Sequence, residues 1–414
     1  MRKNYHLGAL ALYSCMFLHG IQAILLAYNS EYLAARWGVT VAEVFTVIAW
    51  TGIGKILFQA FSGSLSDVVG RRPMVVVGTL GYVALFYGIG QTESLAVAKA
   101  LSFIGGAATS LYDGGVNPGI MEIFPQSKSA ASIGNKGAIS LSGIGYPLLL
   151  GLGASGLVSY SLLFWIPLGL SLVVLLLTLL APLPDDDIRR AEKVSPKRAI
   201  EILEERQGKL VAQEGRDSGN WAVEGILFPL LGLCIYSTFY LFQQVVTLYA
   251  LEILNLGPQG AGRIASLYQL GSLASVLLSM VILGRGVRDI GLMTVYMALS
   301  ALAAFFAYAV KSPVVLGISA AAIGFCAAGG VLQMGNALFN QFFTRRKGRN
   351  TNVYYFVMSL GSFLMPKLAS LLQEGDFTRV LLADGLVALL GFGILLVLGF
   401  RYRRVFGVSP FART

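Results

Sequence analysis

Asp113 stands in YDGGVNP (Tyr112–Pro118), inside an apolar stretch long enough to cross a bilayer. An ionised carboxylate there costs about 2.5–3.5 kcal/mol on insertion scales, so it needs either a proton or a cation. Two lysines in other apolar stretches could serve: Lys55, eight residues before Gly63, and Lys136 in GNKG. Desolvation favours the neutral acid and a nearby lysine favours the ion, so Asp113 could take and release a proton. A permanent ion pair is the competing reading. His19 could relay a proton, or be a hydrogen-bonded core residue.

These residues need membrane-spanning helices to position them. The 414-residue chain is 56% hydrophobic and 13% charged, where soluble domains carry about 25% charged residues. Apolar segments fall near 7–28, 41–62, 73–91, 95–121, 131–154, 157–181, 222–250, 261–283, 290–310, 313–338, 351–373 and 378–400. The first looks like an uncleaved span. The net charge of +10 concentrates on alternate connections, at Arg71/Arg72, Lys128, 182–221, Arg285/Arg288, Arg345/Arg346/Lys347/Arg349 and Arg401/Arg403/Arg404. That asymmetry puts both termini in the cytoplasm, in a plasma (bacterial inner) membrane. It marks topology; a nucleic-acid partner is not expected. Cys15, Cys234 and Cys326 lie far apart in apolar runs, as buried thiols would.

The hydrophilic stretch 182–221 separates six spans from six and reads as a cytoplasmic linker, partly helical near 196–213. The expected domains are thus 1–181, 182–221 and 222–414. GGV recurs at Gly114–Val116 and Gly329–Val331, and GIGYP (Gly143–Pro147) is echoed by GSFLMP (Gly361–Pro366), at offsets of about 215 and 219 residues. Such an ordered series indicates a duplicated bundle, with substrate bound near the midplane. The glycines and Pro118 of GGVNPG are expected to interrupt the fourth span. Lys367 and Asp384 flank the last outer connection and are expected to meet as a structural pair.

Between the second and third spans stands Gly63-Ser-Leu65-Ser-Asp67-Val-Val-Gly70-Arg71-Arg72. It resembles the loop signature of the major facilitator superfamily, G-x-L-x-D-x-x-G-R-[KR], at every defining position. The resemblance implies an all-α polytopic membrane protein, with about 12 transmembrane helices in two pseudo-symmetric six-helix bundles around a central cavity. Asp67 and Arg71 can form a charge-assisted pair, and Gly63 and Gly70 permit close approach or φ > 0. Glu122-Ile-Phe-Pro125 resembles the family's D-L-F-P ending, which adds a third partner. Gly63, Asp67, Gly70, Arg71, Arg72 and Glu122 are the expected gating residues. Leu101 stands where the family often carries a proton-coupling arginine, and the second copy, GRGVRDIG (Gly284–Gly291), is degenerate.

The family's cavity is lined mainly by the first, fourth, seventh and tenth spans. Here those carry His19 and Gln22; Asp113 and Asn117; Tyr236, Tyr240, Gln243 and Gln244; Gln333, Asn336 and Asn340. Spacings of three and four residues put His19 with Gln22, Asp113 with Asn117, and Gln333 with Asn336 on shared faces. Tyr354 and Tyr355 could add an aromatic wall. Amides and tyrosines suit a small polar solute; interhelical hydrogen bonding is the alternative for each. The first expectation is proton-coupled uptake of a small polar organic solute, of the sugar or organic acid class. Proton-driven drug or metabolite efflux is the alternative, and a non-transporting sensor the third. No metal-spaced His/Cys/Glu set, GxxxxGK[ST] or GxSxG occurs, so no enzyme and no cofactor beyond an ion gradient is expected. The expected partners are the substrate and the lipid bilayer, around a monomer.

Overall fold

Each apolar run becomes a helix because hydrocarbon leaves backbone amides no other partners. The computed structural model describes residues 5–411 apart from 125–127, 156, 158, 209–218 and 344–346. The long helices are α1 (His6–Tyr28), α2 (Val41–Val69), α3 (Arg71–Gln91), α4 (Leu95–Ile123), α5 (Lys128–Ala154) and α6 (Leu162–Leu180). After the 182–221 connection come α7 (Glu224–Glu252), α8 (Pro258–Gly284), α9 (Asp289–Ala309), α10 (Pro313–Phe342), α11 (Val353–Glu374) and α12 (Val380–Phe406). Eleven helices among the described residues are long and apolar enough to cross a membrane; α5, with 27 residues, is as long but is not one of the eleven. The chain is an all-α polytopic membrane protein. All three cysteines are buried and free.

The helices fall into two units. The first comprises Met1–Leu25, Trp50–Ser142 and Gly156–Gln213, and the second Leu26–Ala49, Gly143–Ser155 and Glu214–Thr414. In the second unit the ends of α2 and α5 pack on second-half helices, and the segment just past α1 packs on α5. Thr46 and Ser370 hydroxyls lie 3.2 Å apart, Asn29 Nδ2 donates to Tyr146 Oη at 2.8 Å, and a Cβ on Gly262 would lie 2.9 Å from the Pro147 carbonyl oxygen.

Three expectations are corrected. GGVNPG does not interrupt α4, which runs unbroken through Pro118. Gly114 and Gly115 instead permit close packing: a Cβ would come 2.7 Å from Ser62 O and 2.9 Å from a Val75 methyl. Tight neighbours hold the helix where composition alone would loosen it. The break occurs at the repeat position in α10, where a π-helical turn (Gly324–Ala328) precedes Gly330 at φ +118°. Secondly, the linker opens with a helix, Pro184–Glu192, before the one at Pro196–Gly208, and Asp185 and Asp186 are buried. Ile188, Ala199 and Leu203 form a small core between these helices. Thirdly, Lys367 and Asp384 do not pair: Lys367 is exposed and Asp384 fully buried. Arg345 and Arg346 of the basic turn lie outside the described residues, as do the side chains of Lys128, Lys347 and Arg349.

Candidate functional site

In the first unit, polar side chains from five helices converge. On α4, Asn117 donates through Nδ2 to Asp113 Oδ1 at 3.4 Å and accepts from Asn135 of α5 at 2.9 Å. Lys55 of α2 and Lys136 of α5 both act electrostatically on Asp113. Lys55 is buried, with its own backbone carbonyl accepting from Ser110 at 2.8 Å. A second chain joins His19 Nδ1 to Tyr82 Oη at 2.9 Å, Tyr82 Oη to Thr109 Oγ1 at 3.0 Å, and Thr109 Oγ1 to Gln22 Oε1 at 3.3 Å. The chains share one field, since His19 feels both lysines and Tyr82 feels Asp113. Close helix approach makes this possible: Gly106 of α4 faces the Thr51 carbonyl of α2 with no room for a Cβ. The structure thus brings His19, Gln22, Lys55, Asp113, Asn117 and Lys136 together. Tyr82, Thr109 and Asn135 were not expected; Asn135, an amide beside Lys136 in an apolar run, was the readable signal.

The signature loop forms a second cluster in the same unit. Gly70, at φ +95°, lets the chain turn from α2 directly into α3. Arg71 then donates to Asp67 Oδ1 and Ser66 Oγ, both at 2.8 Å, and to Glu122 Oε1 at 2.9 Å. Its backbone N–H donates to Asp185 Oδ2 at 3.0 Å. Arg72 pairs with Asp186 and donates to the carbonyls of Thr178, Leu179 and Ala181, so it closes the end of α6. The Arg71 and Glu122 side chains are only 4% and 11% exposed, whereas Asp67 is 58% exposed. Low dielectric strengthens the first pair, and solvent weakens the second. Tyr5 donates to Asp187 Oδ2 at 3.0 Å; burial and Asp187 push its phenol up to about 12, so it stays a donor. The Asp185–Asp187 triplet was missed as part of this cluster, though three carboxylates just past the sixth span do complement two arginines. Gly63 lies within α2, ahead of the turn.

In the second unit, α7 presents Tyr236 and Tyr240 stacked at 5.0 Å, with Gln243 and Gln244 buried beyond them. On α10, Asn340 Nδ2 donates to Asn336 O at 3.0 Å, and Gln333 Oε1 is buried without a hydrogen-bond partner among the described residues. Tyr354 is fully buried between Gly232 and Gly335 and donates to Leu332 O at 3.1 Å, while Tyr355 packs edge-on against it. The C-terminal end of α12 is fixed by Arg401 on Glu224, at 2.5 Å.

Long apolar helices, a polar cluster drawn from five of them with three charges at its centre, and an arginine–carboxylate loop at their ends define a polytopic membrane protein. A family model for the Major Facilitator Superfamily matches residues 11–256. The chain belongs to that superfamily, and is a transporter and not an enzyme. It is 30% identical to "Inner membrane transport protein YdiN" of Escherichia coli (strain K12) over 402 residues, covering 97% of this chain and 91% of the relative. A D-xylose–proton symporter superposes with TM-score 0.72 at 15% identity, covering 95% and 97% of the two chains. A point mutant of the nucleoside transporter NupG gives 0.69 at 14%, covering 94% and 99%. The fold and the inner membrane relative agree on a multi-pass inner membrane protein.

Proposed function

We propose that this transporter takes up a small polar organic solute, of the sugar or organic acid class, together with a proton by alternating access. The carrying observation is the Asp113 cluster: a half-buried carboxyl inside a membrane span, with two lysines and two linked asparagines around it. Binding a proton at Asp113 releases the lysines from its charge, and losing the proton restores the attraction. The cycle therefore changes the forces between α2, α4 and α5 with each proton. Asn117 is bonded to Asp113 itself, so a solute hydroxyl or carboxylate that displaces that bond is felt at the carboxyl, and Gln22 stands on the neighbouring hydrogen-bond chain. The activity of the D-xylose–proton symporter supports the solute class and the coupling by likeness of fold alone.

With both termini cytoplasmic, the packed ends of α2 and α5 lie on the outer face. The Thr46–Ser370 contact is then one that must part for outward opening. The Arg71–Glu122–Asp67 cluster is intact while those ends are packed, so it braces α2, α3, α4 and the Pro184–Glu192 helix through that state. Asp67, Arg71, Glu122, Gly63, Gly70 and Arg72 remain the gating set on this reading. No cofactor beyond the proton gradient takes part, and the carrier works as a monomer.

The test is Asp113→Asn in proteoliposomes, with a solute first identified by a thermal-shift screen of metabolites. Accumulation driven by a pH gradient should vanish, while exchange between equilibrated pools persists. Accumulation with unchanged pH dependence would refute the assignment.

A further inference from the structure

Asp384 lies on α12, one turn in from Val380, and is fully buried. Neither carboxyl oxygen has a hydrogen-bond partner among the described residues. The groups around it explain why. α12 packs on α9 and α7. Beyond Ser300 the buried residues of α9 are Ala301, Ala304 and Ala307, and the Phe305 ring lies where a Cβ on Gly385 would sit, 2.6 Å away. The Ser300 hydroxyl donates to Tyr296 O on its own helix. On α7, Thr238 donates to Cys234 O, and Cys234 itself faces Gly391, two turns below Asp384. Tyr249 of α7 and Tyr308 of α9, near the same ends of their helices, bring no positive charge. Tyr268 of α8 is within electrostatic range, and its hydroxyl donates to Phe239 O at 3.0 Å.

The cations are elsewhere. Lys367 of α11 and Lys311, beyond the end of α9, are exposed, and Arg379 is held by Asp376 at 3.0 Å. Glu252, at the end of α7, is met by Gln373 at 2.9 Å. A carboxylate without counter-charge at such a place is far costlier than a neutral acid packed there.

We propose that Asp384 is a proton-binding site of the second unit, held as the neutral acid in this state and separate from the Asp113 cluster. One helical turn, about 5 Å, separates it from the start of α12, so the proton enters and leaves at that end. Ionisation requires α9 and α12 to part enough to admit water, so proton release there is tied to rearrangement of the second unit. The inference goes beyond the Asp113 reading and does not depend on it.

Infrared difference spectroscopy of the purified full chain in sodium-free lipid tests this. The C=O stretch of a protonated carboxyl should be present in the wild type at neutral pH, persist in Asp113→Asn and be lost in Asp384→Asn. Persistence of the band in Asp384→Asn overturns the proposal. So does loss of the wild-type band when sodium replaces choline, which would make the site a cation site. Should Asp384→Asn not fold, the wild type still decides, because apolar carbodiimides label protonated carboxyls in membranes. Peptide mapping should place the label on Asp384, declining as pH rises; no label there refutes the site.

Discussion

The repeat-related spans α4 and α10 share GGV and use it in opposite ways. In α4, Gly114 and Gly115 are pressed against α2 and α3, and the helix runs on through Pro118. In α10, Gly324 and Gly329 face Tyr268 O and Ser275 of α8, but the next glycine, Gly330, has open space around it and a left-handed backbone. The first span is locked by its neighbours and carries a charge cluster; the second is broken and is followed by the neutral amides Gln333, Asn336 and Asn340. The tripeptide is the same in both spans, and the surrounding side chains decide whether it becomes a close contact or a joint.

The loops at the span ends differ in the same direction. Arg71 is buried against Glu122, whereas Arg401 on Glu224 is 27% exposed. Arg71→Ala leaves Glu122 buried without its partner and should lower stability by about 3–5 kcal/mol, seen as a large drop in melting temperature in detergent. Arg401→Ala leaves Glu224, itself fully buried, with the Asn220 N–H still donating to it at 2.8 Å and should cost visibly less; equal losses would dissolve the contrast. A smaller effect separates the glycines. Gly114→Ala must push against the Ser62 carbonyl, at about 1–3 kcal/mol, and Gly114→Val should cost more through its bulk. Gly330→Val should lose about 1–2 kcal/mol through backbone strain alone, and Gly330→Asn less, since Asn tolerates positive φ. If Gly330→Asn melts as low as Gly330→Val, the site is crowded and not a joint. The smallest expected effect is that of Tyr82→Phe. It removes the hydroxyl linking His19 to Thr109, at about 1 kcal/mol, and should leave the pH dependence of transport in place; a lost pH dependence would move the proton site toward His19.

Much of this was readable because membrane helices announce themselves by composition and the loop signature fixes its own register. Asp67, Arg71 and Glu122 meet as their motif implied, and Lys55, Asp113 and Lys136 converge because lone charges in apolar runs must find one another. What the sequence withheld depends on distance along the chain. Asp185 and Asp186 reach Arg71 and Arg72 across 114 residues, from a stretch that reads as solvated linker. The α10 break was hidden because the same letters sit unbroken in α4, and only neighbouring helices tell them apart. Lys367 and Asp384 suit each other by charge and depth, yet helix rotation turns Lys367 outward.

The most direct test of the account measures protons and solute together. Wild-type carrier in proteoliposomes, given a solute that stabilises it thermally, should alkalinise the outer medium as the solute enters. In Asp113→Asn the solute should still exchange, with no proton movement. Proton uptake undiminished in that variant would contradict the assignment of Asp113 as the coupling site.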